Sequence, residues 1–231
     1  MKIAIYTLTR DRLEYTKHCF KSLSKNAGRD YDHYVIDNGS TDGTAEWLKN
    51  QPTSDRGGCL FKAILLPENI GISAGSNMAL DEILKSDYDI IIKMDNDCEV
   101  WTKNILDHVS LLVDAMRQAK MKMILSPRVE GINKQPNRVK TFEFLNYDIG
   151  VTGIVGGLFH IVPAEIYAQY RYPLELPKAW GQDDDFCEWA RQRSIKKGYI
   201  ENLVVNHYET TVGQAARFPE YFERKWKEEK V

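Results

Sequence analysis

Asp95 and Asp97, two carboxylates separated by one residue, are well suited to holding a metal ion. They follow the run IIIKM at residues 90–94, which is typical of a strand buried on both faces. Residues i and i+2 of a strand point to the same side, so both carboxylates can face one cation. Mg2+ and Mn2+ take such oxygen ligands and keep sites for water and phosphates. The pair indicates half of a metal–phosphate site, although Asp-Asn-Asp is also ordinary turn composition.

A second acidic cluster, WGQDDDF at residues 180–186, opens an amphipathic helix. Carboxylates in a first turn interact favourably with the helix dipole, which accounts for one or two of the three aspartates. Three in a row exceed what capping needs, so at least one is free for chemistry. His207 ends the last predicted strand, residues 199–205, and becomes a metal-ligand candidate because a metal site is already indicated.

Strands and helices alternate through the first half of the chain. The predicted strands are residues 2–9, 33–37, 61–66 and 88–94, and helices follow each of them. Asp11 with Glu14 forms a capping-box pattern for the first helix, and Thr102 is the expected cap of the fourth. This order predicts an α/β fold with a doubly wound, mostly parallel sheet.

Polar segments follow each of these strands. They include Thr7 and Thr9, then residues 37–44, 69–77 and 95–97. In doubly wound sheets, ligands bind beyond the carboxyl ends of the strands. Each segment alone is consistent with a loop or cap, but their shared position predicts one binding site at this edge.

The second half is less regular, with expected strands at residues 121–126 and 138–147 and a glycine-rich apolar run at 151–162. Gly156 and Gly157 in that run predict either a close backbone approach or a bulge. The tail at residues 214–231 carries Phe218, Phe222 and Trp226 at four-residue spacing, which predicts a helix packed on the body or, less favourably, at a partner or membrane surface. We expect one domain: a nucleotide-binding half at 1–120, a smaller mixed acceptor-side half at 121–210, and a helical tail at 211–231.

Composition indicates a globular protein and excludes several classes. The 231 residues carry a formal net charge of −2, which argues against a nucleic-acid-binding surface. Four widely spaced cysteines fit reduced thiols in the cytosol better than a disulfide framework. Met1 leads directly into a strand-like run, so no signal peptide is expected, and no apolar run reaches the roughly 20 residues of a membrane span.

Taken together, the motifs resemble those of family 2 glycosyltransferases of the GT-A fold. The resemblance covers roughly residues 2–210 and rests on an ordered series of segments: IAIYTLTRDR, VIDNGSTDGT, NIGISAGSN, MDNDCEV, GGLFHIV, WGQDDDF and VVNHYE. VIDNGSTDGT at the end of a second strand is a specific signature. This resemblance implies a GT-A fold and transfer of a sugar from a nucleotide-diphosphate sugar to an acceptor hydroxyl.

The resemblance implies a nucleotide site, a metal site and a sugar site. The nucleotide site would comprise Thr7, Thr9, Arg10, Asp37, Asn69, Gly71, Asn77 and Asp95, with Asp37 bonded to the base. Asp97 would bind Mn2+ or Mg2+ directly, Asp95 would face the metal's hydration shell, and His207 resembles the ligand that some members use. Gly156, Gly157, Trp180 and Gly181 would border the donor sugar and the acceptor.

The catalytic base implied by the resemblance is Asp183, with Asp184 as a close rival. Relatives usually carry Glu-Asp where this chain has Gln182-Asp183, so the choice stays open. The first motif also lacks the proline and asparagine that are common in relatives. Independently, a cation near Asp95 and Asp97 would neutralise the leaving diphosphate, and one of residues 183–185 could take the acceptor proton. Direct displacement by the hydroxyl inverts the anomeric centre.

Other functions fit the residues less well. A sugar nucleotidyltransferase would carry a glycine-rich phosphate loop after the first strand, and residues 6–10 contain no glycine. No G-x-G-x-x-G follows a strand, which argues against a dinucleotide-dependent oxidoreductase. A non-catalytic nucleotide-sugar or glycan-binding module of the same fold stays open because of Gln182. UDP is the expected donor nucleotide, since an aspartate pairs with the imide N–H of uracil, and thymine presents the same edge. We expect a glycan, lipid-linked sugar or protein acceptor and a cytoplasmic location, free or peripheral to a membrane.

Overall fold

The computed structural model describes residues 1–55, 59–177, 180–209 and 211–228. Its strands within these ranges form one sheet in the order β3-β4-β2-β1-β5-β10-β7-β11-β9-β8, with β6 paired to β11. In chain order the strands are β1 Ile3–Thr9, β2 Asp32–Asp37, β3 Ser54–Asp55, β4 Cys59–Leu65, β5 Ile90–Met94, β6 Cys98–Val100, β7 Met123–Glu130, β8 Lys140–Phe144, β9 Tyr147–Thr152, β10 Phe159–Pro163 and β11 Lys196–His207. The helices are α1 Leu13–Asn26, α2 Thr44–Lys49, α3 Gly71–Ile83, α4 Ile105–Gln118, α5 Ala164–Tyr167, α6 Gln182–Gln192, α7 Thr211–Arg217 and α8 Pro219–Glu228.

Strands β4, β2, β1 and β5 are parallel to one another, as predicted, and the two-residue strand β3 is antiparallel to β4. Strand β1 pairs in parallel with both β2 and β5, and β2 pairs in parallel with β4. All five residues of β5 are buried, which confirms the expected strand covered on both faces. Thr9 is the register partner of Asp37, so the carboxyl ends of β1 and β2 lie side by side.

The second half of the sheet is mixed. Strand β10 is antiparallel to β5 and β7, while β11 is parallel to β7 and antiparallel to β6 and β9. Strands β8 and β9 form an antiparallel hairpin. Because β10 hydrogen-bonds directly to β5, the mixed half continues the sheet that carries the acidic motif.

Two expected helix caps are replaced by tertiary contacts. Helix α1 begins after Arg12, whose φ is 58°, and no side chain caps it. The Asp11 carboxylate instead accepts a hydrogen bond from the backbone N–H of Thr41 at 2.7 Å. Likewise, α4 has Asn104 at its N-cap, and the Thr102 hydroxyl accepts a hydrogen bond from the N–H of Val204 at 2.6 Å. Both predicted caps were wrong because a distant backbone group took the side chain.

Gly156 and Gly157 lie in the loop between β9 and β10 rather than inside a strand. Residue Gly157 makes the close backbone approach that was one of the two expectations. A Cβ added at Gly157 would lie 2.4 Å from Asp183 Oδ1, whereas one added at Gly156 would meet only Tyr199 Oη, at 3.9 Å.

The C-terminal segment forms α7 and α8, and its terminal residues 229–231 lie outside the described part of the chain. Phe222 is buried, the Phe218 ring lies edge-on to that of Tyr15 at 5.2 Å, and Trp226 is half exposed. Arg224 contacts the Asp11 carboxylate at 2.6 Å. The described part of the tail therefore packs on the start of α1, as expected, but it does so as two helices, with Phe218 in the break between them.

Candidate functional site

The polar turn at residues 38–43, at the carboxyl edge of the parallel strands, is organised by the buried carboxylate of Asp37. Asp37 Oδ1 accepts hydrogen bonds from Thr9 Oγ1 at 2.9 Å and from Ser40 Oγ at 2.5 Å, and its Oδ2 accepts one from the Ser40 N–H at 3.0 Å. Asp37 has no exposed surface. Its carboxylate therefore holds the 38–43 turn, and a base bound there would have to share these oxygens.

The other residues expected to bind nucleotide occupy different depths. Thr7 is fully buried and its Oγ1 lies 3.0 Å from His33 Nε2, so it sits inside the body rather than at the edge. Arg10 is half-buried directly after β1. Burial, without any compensating charge, lowers the pKa of His33 to about 3, so His33 is neutral at pH 7.

The α3 residues of the expected nucleotide site anchor the start of that helix. Asn69 Oδ1 accepts a hydrogen bond from the Gly71 N–H at 3.0 Å, and Gly71 has a φ of 88°, which a glycine adopts without strain. Asn77 pairs with the backbone of Tyr172 in both directions, at 2.8 and 2.9 Å. Asn77 therefore ties α3 to the segment that leads into α6.

The two aspartates of the acidic motif lie in a turn and contact different cations. Strand β5 ends at Met94, so strand alternation no longer applies to Asp95 and Asp97. Asp95 Oδ1 accepts a hydrogen bond from Lys93 Nζ at 2.7 Å, and its side chain is 41% exposed. Asp97 Oδ2 accepts hydrogen bonds from Arg12 at 3.3 Å and from Gln214 Nε2 at 3.1 Å. The two carboxylates are thus paired with different protein cations, Asp95 with Lys93 and Asp97 with Arg12.

The electrostatic surroundings separate the two carboxylates. For Asp97, burial raises the pKa, but the Arg12 charge and the hydrogen bonds from Gln214 and Arg12 outweigh it, so the pKa is lowered. For Asp95, withdrawal from water and the neighbouring Asp97 and Asp183 charges outweigh Lys93, so the pKa is raised. Asp97 is therefore the stronger anion of the motif.

His207 is oriented as a metal ligand would be. Its Nδ1 lies 2.5 Å from the carbonyl oxygen of Glu209, and because a carbonyl only accepts, Nδ1 carries the proton. Nε2 faces Asp97 Oδ2 at 3.8 Å and, in the neutral ring, presents a lone pair there. A ligating histidine commonly donates its other N–H to a carbonyl in this way. Carboxylate oxygen suits Mn2+, and histidine is a common ligand of metal ions in proteins.

No group of three His, Cys, Asp or Glu side chains that could hold a metal ion is present in the part of the chain that the structure describes. Asp97 and His207 supply two donors, and Arg12 and Gln214 occupy the Asp97 oxygen that faces His207. The residues fit a metal held by these two donors plus phosphate and water, after Arg12 and Gln214 shift.

Three successive aspartates at the start of α6 have three different environments. Asp183 Oδ2 accepts a hydrogen bond from the Gly157 N–H at 2.7 Å, and Asp185 Oδ2 accepts one from Tyr170 Oη at 2.6 Å. Asp184 is exposed to solvent. Asp183 is therefore the one held against the glycine loop, and Asp184 projects from the surface.

Of the residues expected near the sugars, Gly157 contacts Asp183 directly. The Gly156 N–H donates to Tyr199 Oη at 2.9 Å, and the Gly157 carbonyl accepts a hydrogen bond from Lys93 at 2.8 Å. Gly181, with a φ of 90°, is the N-cap of α6, and Trp180 beside it is 59% exposed. An exposed indole next to a carboxylate offers a stacking surface to a sugar ring.

Sequence reasoning missed four polar residues of the site: Lys93, Arg12, Gln214 and Gln182. Lys93 was counted within an apolar strand, although a charged residue in such a strand is itself a signal. Gln182 is buried and its Nε2 donates to the Pro177 carbonyl at 2.7 Å and to Ser73 Oγ at 3.3 Å. Gln182 thus joins α6 to α3, a role that needs a donor rather than a carboxylate.

The family model described as Glycosyl transferase family 2 matches residues 4–170. This range contains the acidic motif and the glycine loop but ends before Asp183 and His207. No curated protein sequence matches the chain.

Several solved structures share the fold. Residues 1–349 of TarS of S. aureus, also solved with UDP-GlcNAc, superpose with a TM-score of 0.67 at 18% identity, over 99% of this chain and 65% of that fragment. The mannosyltransferase PcManGT from Pyrobaculum calidifontis, in complex with GDP-Man and Mn2+, gives 0.65 at 12% identity, over 94% of this chain and 59% of its own. GalNAc-T7 with UDP, GalNAc and Mn2+ gives 0.66 at 12% identity, with coverages of 90% and 44%. The chain spans about two thirds of these proteins or less.

Proposed function

The chain belongs to glycosyl transferase family 2 and has the GT-A fold, and from this premise we propose that it is a metal-dependent inverting glycosyltransferase. It would move a hexosyl group from a nucleoside diphosphate to an acceptor hydroxyl. We assign donor binding to residues 1–120 and acceptor binding to residues 121–210. The helical tail at 211–231 would pack over the start of α1.

One observation carries this proposal: Asp95, in the turn after β5, and Asp183, in α6, are linked through Lys93 and Gly157. Lys93 Nζ donates to Asp95 at 2.7 Å and to the Gly157 carbonyl at 2.8 Å. The Gly157 N–H in turn donates to Asp183 at 2.7 Å. This arrangement places one carboxylate toward the proposed donor side and one toward the proposed acceptor side, where a general base for the acceptor hydroxyl would act.

In the proposed mechanism, Asp183 is the general base. It takes the proton of the acceptor hydroxyl while that oxygen bonds to the anomeric carbon and the bond from this carbon to the diphosphate oxygen breaks. Attack occurs on the face opposite the leaving group, so the configuration inverts. Asp184, which is exposed to solvent, is the alternative base.

Asp97 and His207 would hold Mn2+ or Mg2+, with Asp95 facing its hydration shell. When bound, the cation supplies positive charge that offsets the charge of the leaving diphosphate. The solved mannosyltransferase and GalNAc-T7 complexes contain Mn2+, which supports this assignment. Arg12 and Gln214 would give up Asp97 Oδ2 as the metal binds.

For the donor, we propose UDP, with dTDP as the alternative that presents the same base edge. TarS is solved with UDP-GlcNAc, while PcManGT is solved with GDP-Man. Thr9, Arg10 and Asp37 would line the base pocket, with Thr7 buried deeper in β1. Bordering the nucleotide would be Asn69, Gly71 and Asn77. Gly156, Gly157, Trp180 and Gly181 would border the donor sugar and acceptor.

A glycan, lipid-linked sugar or protein is proposed as the acceptor, and the cytoplasm, free or at a membrane surface, as the location. Across the described residues, no helix is both long and apolar enough to cross a membrane.

A thermal-shift titration with UDP, GDP, dTDP and ADP, each with and without Mn2+, tests the nucleotide and metal sites. A ligand at about 100 times its Kd adds roughly 2.7 kcal/mol of stability. We expect a Mn2+-dependent shift with UDP or dTDP that Asp97→Asn abolishes. No shift with any nucleotide would refute the nucleotide and metal assignments together.

Product analysis tests the transferase itself. Incubation with a nucleotide sugar and candidate acceptors should release the nucleoside diphosphate and form a product of inverted anomeric configuration. Retention of the donor without release, across acceptors of all three classes, would instead identify a non-catalytic binding module.

A further inference from the structure

Lys93 is the one charged residue of β5 and it is almost completely buried. The other four residues of the strand are apolar, and Lys93 is 5% exposed. Its register partners are Tyr6 on β1 and His160 on β10. An apolar side chain would stabilise a strand at this position with no desolvation cost, so the buried ammonium points to a functional demand.

The ammonium lies between two acids that come from different parts of the fold. Its Nζ contacts Asp95 Oδ1 at 2.7 Å and the Gly157 carbonyl at 2.8 Å. A Cβ added to Gly157 would lie 2.5 Å from Lys93 Nζ and 2.4 Å from Asp183 Oδ1, so both groups flank the same point. The Gly157 peptide thus offers its carbonyl to Lys93 and its N–H to Asp183.

Burial by itself lowers the pKa of Lys93, but the Asp95 and Asp183 charges outweigh it, so the pKa is raised and Lys93 remains a cation. Without this cation, the Asp95 and Asp183 carboxylates would repel each other across the Gly157 peptide. The lysine therefore offsets their repulsion as well as bridging them.

We propose that Lys93 is a positioning residue that holds the donor-side acid Asp95 and the acceptor-side acid Asp183 in register across Gly157. This inference rests on the proposed function for its catalytic consequence. In this role Lys93 fixes the distance between Asp95 and Asp183 and does not bind the donor phosphates.

The first experiment separates turnover from binding in Lys93→Met, in which methionine keeps the length and unbranched shape of the side chain. We expect kcat to fall at least 100-fold while the Kd for UDP with Mn2+ stays within about threefold of wild type. Adding Asp183→Asn should lower kcat little further, because residues that act as a unit are not additive. A large rise in Kd with unchanged kcat would overturn the proposal.

Lys197→Met is the matched control. Lys197 is also a buried strand lysine, 4% exposed, but its Nζ contacts the Cys187 carbonyl at 3.0 Å. We expect its kcat to stay within about threefold of wild type. An equal loss of kcat in both variants would show that removing any buried lysine here damages the enzyme, which refutes a specific role for Lys93.

The second experiment needs no turnover. In urea unfolding, Lys93→Met should lower the midpoint, and the double variant Lys93→Met/Asp183→Asn should recover part of that loss because the uncompensated carboxylate is gone. A double variant as unstable as the sum of both single variants would refute the Lys93–Asp183 link. If wild type neither binds nucleotide nor transfers sugar, the proposed function fails while this cycle still decides the link.

Discussion

Replacing Gly157 by alanine places one methyl group between the two halves of the site. The added Cβ would lie 2.4 Å from Asp183 Oδ1, 2.5 Å from Lys93 Nζ and 2.7 Å from Asp183 Oδ2. Ordinary van der Waals contact lies near 3.5 Å, so each group must move by about 1 Å. Asp183 cannot keep its hydrogen bond to the Gly157 N–H through such a displacement.

The expected cost is larger for catalysis than for folding. Misplacing a catalytic group by about 1 Å lowers the rate by on the order of 100-fold, or about 2.7 kcal/mol in the activation free energy. Overpacking of this kind destabilises the fold by about 1–3 kcal/mol. Because Asp97 and Asp37 are untouched by the new methyl group, nucleotide binding should change little.

Steady-state transfer assays and nucleotide thermal shifts on Gly157→Ala measure the two effects separately. Gly153→Ala is the control in the same loop, since a Cβ added there would meet nothing within 4 Å. We expect Gly153→Ala to turn over within a few-fold of wild type. If Gly157→Ala retained full kcat, Asp183 would not be the base in the position described.

Three further outcomes are expected. Asp183→Asn should keep Mn2+-dependent UDP binding and lose turnover, whereas Asp184→Asn should turn over normally; the reverse result in transfer assays would move the base by one residue. Gln214→Ala should lower the free energy of unfolding in urea by about 1–3 kcal/mol, because buried Asp97 loses a donor; an unchanged midpoint would contradict this. Burial lowers the pKa of His33 to about 3 in the folded state, so between about pH 6.5 and pH 3 the unfolded state binds a proton that the folded state does not. The free energy of unfolding should therefore be unaffected by His33 above pH 6.5 and fall by about 1.4 kcal/mol per pH unit below it, down to about pH 3. His33→Gln should flatten this acid limb in pH-dependent urea unfolding.

Local pattern was enough to predict the parallel half of the fold. The apolar run of β5 indicated a strand buried on both faces, and all five of its residues are buried. Alternation of strands and helices then required the strand ends to share one edge, which is where Thr9, Asp37 and Asp95 lie. These predictions succeeded because hydrophobic periodicity reports burial directly.

Local pattern failed where a polar side chain had a choice of partners. Asp11 and Thr102 both sit at positions that favour helix capping, yet each accepts a hydrogen bond from a backbone N–H far along the chain. The acidic motif was likewise expected to follow strand alternation, but β5 ends at Met94, directly before Asp95. Spacing describes neighbours in sequence and carries no information about a competing partner from another element.

The sequence by itself therefore identified part of the candidate site: two acidic clusters, a glycine pair and a histidine. The tertiary structure decided their pairing. It joined Gln214 to Asp97 across 117 residues, Gly157 to Lys93 across 64 and Asp183 to Gly157 across 26. The physical reason is that a buried charge is stable only beside its partner, and packing of distant elements alone chooses which partner that is.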